Sequence, residues 1–193
     1  MAEISQIKLP NNATYNLRDD VHAWGGRNYI LTSDKVTGGG NASGITSSYE
    51  TDGSLKIVST SGNGNYRSIN FAQNSNNHIG NNFNIGDIYT ISVMIKVESG
   101  TILPTLFINS GNAYKQLKGT IVQNQWIQAW YSSVWADPGT QYGNISLHLG
   151  FRESIGTYYF KNFKLEKGNK ATDWSPAPED IAYVNGTQLI LLS

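Results

Sequence analysis

The chain has 193 residues, and its 14 Lys and Arg are balanced by 14 Asp and Glu, so the formal charge at neutral pH is zero. Charged residues make up 15%, well under the ~25% usual in soluble domains, while aromatics reach 11% and glycines number 20. This composition excludes a nucleic-acid binder, which needs a basic face to displace counterions, and a disordered chain, which is charge-rich and poor in rings.

The first residues, MAEISQIKLPNNATYNL, lack both a basic n-region and an apolar h-region, so no secretory signal is expected there. Ile4–Asp20 reads as a small hairpin: IKL, a PNNA turn, then TYNL. Leu17–Trp24 is the one helix candidate, stopped by Gly25-Gly26. Everything beyond alternates in twos between turn-rich stretches. Thr37–Gly44, Ser61–Asn65 and Ala72–Asn84 have loop composition, with Gly and Asn where positive φ is tolerated. Weaker strands are predicted at Leu55–Ser59, Tyr66–Phe71, Ile102–Asn109, Tyr114–Thr120 and Trp126–Trp135. The clearest strand is Ile88–Val97, with Tyr89, Ile91, Val93, Ile95 and Val97 on one face and Thr90, Ser92, Met94 and Lys96 on the other. Asn144–Arg152 turns Ile145, Leu147, Leu149 and Phe151 inward and Ser146, His148, Gly150 and Arg152 outward. Tyr158–Leu165 changes parity, which predicts a bulge near Lys161-Asn162.

Eight or so short strands at this spacing predict an all-β fold, an antiparallel jelly-roll β-sandwich with short N- and C-terminal arms. The predicted organisation is an arm over 1–25, a sandwich over 26–178, and a C-terminal strand or linker over 179–193 carrying a strand at Tyr183–Leu192. Apolar runs such as LILL fall far short of the roughly 20 residues of a membrane-spanning helix, so no membrane is expected as a partner.

Three segments resemble a known family. Gly26–Leu31 (GRNYIL) is similar to the GRNLL opening of carbohydrate-binding-module-like domains in phage tail proteins. Tyr89–Gly100 (YTISVMIKVESG) resembles their central strand, and Thr157–Asp180 (TYYFKNFKLEKGNKATDWSPAPED) their closing segment. Ile4–Asp20 resembles the leader of phage baseplate and tail proteins. The resemblance implies a jelly-roll adhesion module in the tail of a virion, synthesised in the host bacterial cytoplasm. Its implied partners are a host cell-wall or capsular saccharide and other virion tail proteins. Many such relatives carry Asp where this chain has Lys161. Within the closing segment, Trp174 is expected to be a buried plug and Asp173 to accept backbone hydrogen bonds.

Catalytic chemistry has little to stand on. Cysteine is absent, and His22, His78 and His148 lie far apart in no metal or hydrolase motif. Most acids of the predicted sandwich (Asp34, Glu50, Asp52, Asp87, Glu98, Asp137, Glu153, Glu166, Asp173) fall in turns or at strand ends, where capping explains them. No enzyme activity is expected and no cofactor is assigned. A structural Ca²⁺, which sandwiches of this type sometimes hold, has no Asp-rich loop to mark it.

Binding remains, and saccharides call for flat rings beside planar polar groups. If Tyr66–Phe71, Ile102–Asn109, Tyr114–Thr120 and Asn144–Arg152 share one sheet, His148 and Arg152 point outward with Tyr66, Asn109, Tyr114 and Gln116 in reach. Trp130 is a second candidate, exposed on the opposite sheet if Tyr131 and Trp135 face inward. The alternative is a structural tail or baseplate component that binds neighbouring proteins and no sugar. The two arms, apolar on one face, are expected to pair with the sandwich or with a second copy in a homo-oligomer; flexible linkers are the alternative.

Overall fold

The computed structural model describes residues 6–8, 14–16, 26–30, 36–38, 43–61, 66–71, 82–108, 115–136, 147–151, 153–177, 181–184 and 187–190. Near the ends lie two separate hairpins. One joins β1 (Gln6–Lys8) to β2 (Thr14–Asn16), the other β13 (Ile181–Val184) to β14 (Thr187–Ile190). The first matches the predicted hairpin. The second replaces the single strand predicted over Tyr183–Leu192, and its strands are separated by Asn185-Gly186, the residue pair that favours a two-residue hairpin turn. The helix candidate Leu17–Trp24 lies outside the described residues.

Between them, ten strands form two five-stranded antiparallel sheets. The first sheet runs in the order β10 (Trp126–Val134), β7 (Ile88–Ser99), β12 (Gly156–Lys167), β5 (Leu55–Ser59), β4 (Ile45–Tyr49). The second runs β3 (Val36–Gly38), β6 (Tyr66–Phe71), β11 (Leu147–Gly150), β8 (Thr105–Ile108), β9 (Lys115–Gln116). Successive strands from β5 onward mostly alternate between the sheets, as a jelly roll requires.

One core fills the space between the sheets. Tyr89, Ile91, Val93, Ile95 and Val97 are all buried, as their alternation predicts. From the second sheet Leu106, Leu149 and, just past β11, Phe151 meet them, and Phe151 lies 5.7 Å from the Tyr158 ring. Phe83 stacks on Trp135 at 4.5 Å and meets Tyr29 edge-on at 4.9 Å. Among the described residues, eight rings are buried in this core and are structural.

The bulge in β12 falls where the parity change puts it. The pairing with β7 slips between Lys161 and Lys164, and Asn162 has φ 56°. The slip turns Phe163 and Leu165 into the core after Tyr158 and Phe160. Three local predictions differ. The loop predicted from Thr37 begins inside β3, and β4 was not predicted, because Ile45–Tyr49 (ITSSY) has one buried apolar residue and three exposed positions. The strand predicted over Tyr114–Thr120 is only Lys115–Gln116. After it the chain dips through buried Leu117, and Lys118 exchanges backbone hydrogen bonds of 2.7 and 3.0 Å with Trp130 of the other sheet.

Candidate functional site

The outer face of the first sheet is divided in two by the closing segment. Thr90 and Ser92 of β7 and Lys164 and Glu166 of β12 point away from the core, yet all four are buried. The chain after β12 covers them. Lys164 Nζ donates to Thr172 Oγ1 and to the Asp173 carbonyl, both at 2.7 Å. Glu166 accepts from the backbone of Gly26 at 2.9 Å and of Thr172 at 2.9 Å, and from the Thr172 hydroxyl at 2.6 Å. Lys164 and Glu166 lie 3.6 Å apart. Burial pushes the Lys164 pKa down against the pull of Glu166. A Cβ on Gly26 would meet the Glu166 carboxylate at 2.6 Å, so glycine is what lets the opening segment lie there.

Asn28 completes this closure. Its Nδ2 donates to the carbonyls of Phe163 and Ser175 at 3.1 and 3.0 Å, and its Oδ1 accepts from Ile30 and Leu165 at 3.0 and 3.2 Å. One buried amide thus satisfies the backbone around the bulge, where the sheet ladder is broken. Two expectations about this segment need correction. Trp174 is half-buried rather than a buried plug, and the exposed Asp173 contributes its own carbonyl to Lys164. Within this segment, Glu166 is a carboxylate that accepts backbone hydrogen bonds, because it sits on a strand that the tail crosses.

The other half of this face is open. Pairing registers align Trp126 with Lys96, Lys96 with Tyr159, Tyr159 with Lys56, and Lys56 with Ser48. One row of side chains thereby crosses all five strands. Its two rings stand two strands apart, about 10 Å by strand spacing, the length of an extended disaccharide. Lys96 Nζ lies 4.1 Å from the Tyr159 ring centroid and 5.4 Å from that of Trp126. Lys161 Nζ lies 4.1 Å from Trp126, and Lys56 Nζ 5.3 Å from Tyr159. The Tyr159 hydroxyl donates to Glu98 at 2.8 Å, and that carboxylate raises the phenol's pKa. The Tyr159 hydroxyl in turn holds the Lys56 pKa above its ordinary value, with Glu98 and Glu50 adding to the effect. Beside Lys56, at the β4 edge, an open depression of about 290 Å³ is lined by Thr46, Ser47, Ser48, Glu50 and Val58.

Those residues singled out from sequence that the structure describes lie off this row. Strands β6, β11, β8 and β9 do share one sheet. Register puts Tyr66, Gly150, Thr105 and Gln116 in one row across it, with His148 in the row through Ser68 and Phe107. Gln116 is exposed, and its amide donates to the Leu103 carbonyl. Asn109, Tyr114 and Arg152 lie outside the described residues. Trp130 is half-buried on the outer face of the first sheet, with Lys118 Nζ 5.0 Å from its ring, while Tyr131 and Trp135 face inward. Trp126, Tyr159, Lys56 and Lys161 were missed as site residues, although parity carried the signal. Trp126 shares its face with Trp130, and Tyr159 falls between two core rings. Among the described residues, no group of His, Asp and Glu is arranged to hold a metal ion.

No protein-family model and no curated protein matches the chain. Solved structures are similar at low identity. The CBM22-1 xylan-binding domain of Paenibacillus barcinonensis Xyn10C is 14% identical with a TM-score of 0.43, covering 76% of this chain and 94% of its own. The tripod from the baseplate of bacteriophage Tuc2009 is 16% identical with a TM-score of 0.42, over 81% of this chain and 60% of its own. A family 29 carbohydrate-binding module is 13% identical with a TM-score of 0.38, over 74% of this chain and 88% of its own. The fold is read from the strand order and shared core, not from these likenesses.

Proposed function

We propose that this chain is an adhesion module of a phage tail, binding a host cell-wall or capsular saccharide through the open half of the first sheet's outer face. The observation that carries the reading is the row Trp126–Lys96–Tyr159–Lys56, which offers two rings and several ammonium donors on one surface. Rings of this kind stack on the C–H faces of sugars, and the flanking polar groups bond the hydroxyl rim. The resemblance of Gly26–Leu31 and Thr157–Asp180 to phage tail modules supports a place in the virion. Such an open surface binds weakly alone, near millimolar, about −4 kcal/mol, and gains avidity from copies on one particle. The role is binding rather than catalysis.

A second surface is favoured by the register that aligns Tyr66, Gly150, Thr105 and Gln116 on the other sheet. There the proposed ligand residues are Tyr66, Asn109, Tyr114, Gln116, His148 and Arg152; Trp130 belongs to the first sheet. The test is binding of the purified chain to host cells before and after glycan stripping, and to a glycan array. Trp126→Ala and Tyr159→Ala should each weaken binding about five- to tenfold, since a ring contact is worth on the order of 1 kcal/mol, with melting unchanged. Full binding by both, with loss in His148→Ala or Tyr114→Ala, would move the site to the second sheet. Loss in Trp130→Ala alone would move it along the first. Attachment indifferent to glycan stripping would favour the structural tail component that binds only proteins.

A further inference from the structure

We infer that the saccharide taken by the Trp126–Tyr159 surface is anionic, a polymer bearing carboxylate or phosphodiester groups. The inference rests on the saccharide reading and deepens it. Lys56, Lys96 and Lys161 all reach this surface, and among the described residues none of the three has a carboxylate within 4.0 Å. The acids nearby keep their charge and act on these lysines at longer range, but each makes its close contact with a neutral donor. Glu98 accepts from the Tyr159 hydroxyl at 2.8 Å, Asp52 from the amide and hydroxyl of Ser54 at 3.0 and 2.6 Å, and Glu50 from Ser48 at 3.4 Å. Lys96 and Lys161 instead rest against ring faces, and Lys56 lies beside the Tyr159 ring and its hydroxyl.

That arrangement discriminates between ligands. An ammonium lying against a ring occupies part of the face on which a sugar would stack, and a neutral glycan must displace it for no new ionic contact. An anionic glycan draws the ammonium onto its carboxylate or phosphate. This replaces a weak cation–π contact with a charge-assisted hydrogen bond and frees the ring for the sugar. Each ammonium carries three donors, which ring faces leave largely unused.

The experiment is calorimetric titration of the full chain with polygalacturonate, poly(glycerol phosphate) and neutral xylan and mannan, at low and at physiological salt. The anionic polymers should bind about tenfold more tightly than the neutral ones, a difference of about 1.4 kcal/mol, and should lose much of that margin as salt screens the lysines. Preference for one anionic polymer over the other assigns the carboxylate or the phosphodiester. Lys56→Gln, Lys96→Gln and Lys161→Gln should each reduce the margin without lowering the melting temperature, while Lys170→Gln, away from the row, should leave it intact. If neutral glycans bind as well or better, and depend on Trp126 and Tyr159 but not on the lysines, the anionic assignment is overturned and the saccharide reading stands. Failure of every glycan to bind would overturn both.

Discussion

Tyr158 has no exposed surface, and its hydroxyl donates to the carbonyl of Ile102 at 2.9 Å and contacts that of Ile155 at 3.4 Å. Those carbonyls belong to the connections before β8 and before β12, so one phenol pins two turns to the core. Burial raises its pKa to about 12, from the ordinary phenol value of 10.0. The sign of the consequence follows from proton counting. Above pH 10 the unfolded chain gives up this proton while the folded chain keeps it, so stability declines as pH rises from about 10 through about 12. Tyr89, also raised by burial, adds to the same slope. Tyr158→Phe should cost about 1 kcal/mol at neutral pH, the net worth of one hydrogen bond. Its melting temperature should then fall less steeply with alkali than that of the parent. Parallel alkaline melting curves for the two proteins would show that the phenol does not titrate with unfolding.

At the scale of elements, the opening and closing segments form one device. Asn28, Gly26, Lys164, Glu166 and Thr172 tie the first strand-like stretch to β12 and to the tail that crosses it. Asn28→Ala leaves the amides of Ile30 and Leu165 without the oxygen that accepts them. It should cost about 3 kcal/mol, a melting drop on the order of 10 °C by thermal denaturation. An unchanged melting temperature would mean that the bulge is held by other bonds. The strands of the sandwich were legible because alternation is a local signal: β7, β5 and β6 follow from their residues, and the parity change in β12 marks the bulge. The lock was not legible, because Asn28 and Leu165 are far apart in sequence and a polar residue followed by Tyr29 reads as loop. For the same reason Glu166 read as a solvated strand end, when it is buried beneath a segment that sequence spacing cannot place. The Trp126–Tyr159 surface was half legible. Its outward parity is written in the strands, but the pairing of β10 with β7 and of β7 with β12 is what aligns the rings.

At the scale of the whole molecule, the sandwich and the two hairpins differ in what holds them. The buried apolar cluster of the described residues runs from Ile30 to Leu165, and both sheets close upon it. The β1–β2 and β13–β14 hairpins are separate two-stranded sheets that add no strand to either side of the sandwich. A two-stranded hairpin is marginal in water without something to pack upon. Ile7 opposite Tyr15, and Ala182 opposite Leu189, give each hairpin apolar positions in its ladder. With zero formal charge the chain also has no net self-repulsion to keep copies apart. Deleting both ends to leave 26–178 should therefore separate stability from assembly. The shortened chain should melt within about 3 °C of the full chain, a change of less than about 1 kcal/mol at this size. Light scattering should show the full chain as a homo-oligomer and the shortened one as a monomer. A large drop in melting temperature would mean that the hairpins are part of the sandwich's own core. A monomer in both cases would assign the hairpins to neighbouring virion proteins instead of to a second copy of this chain.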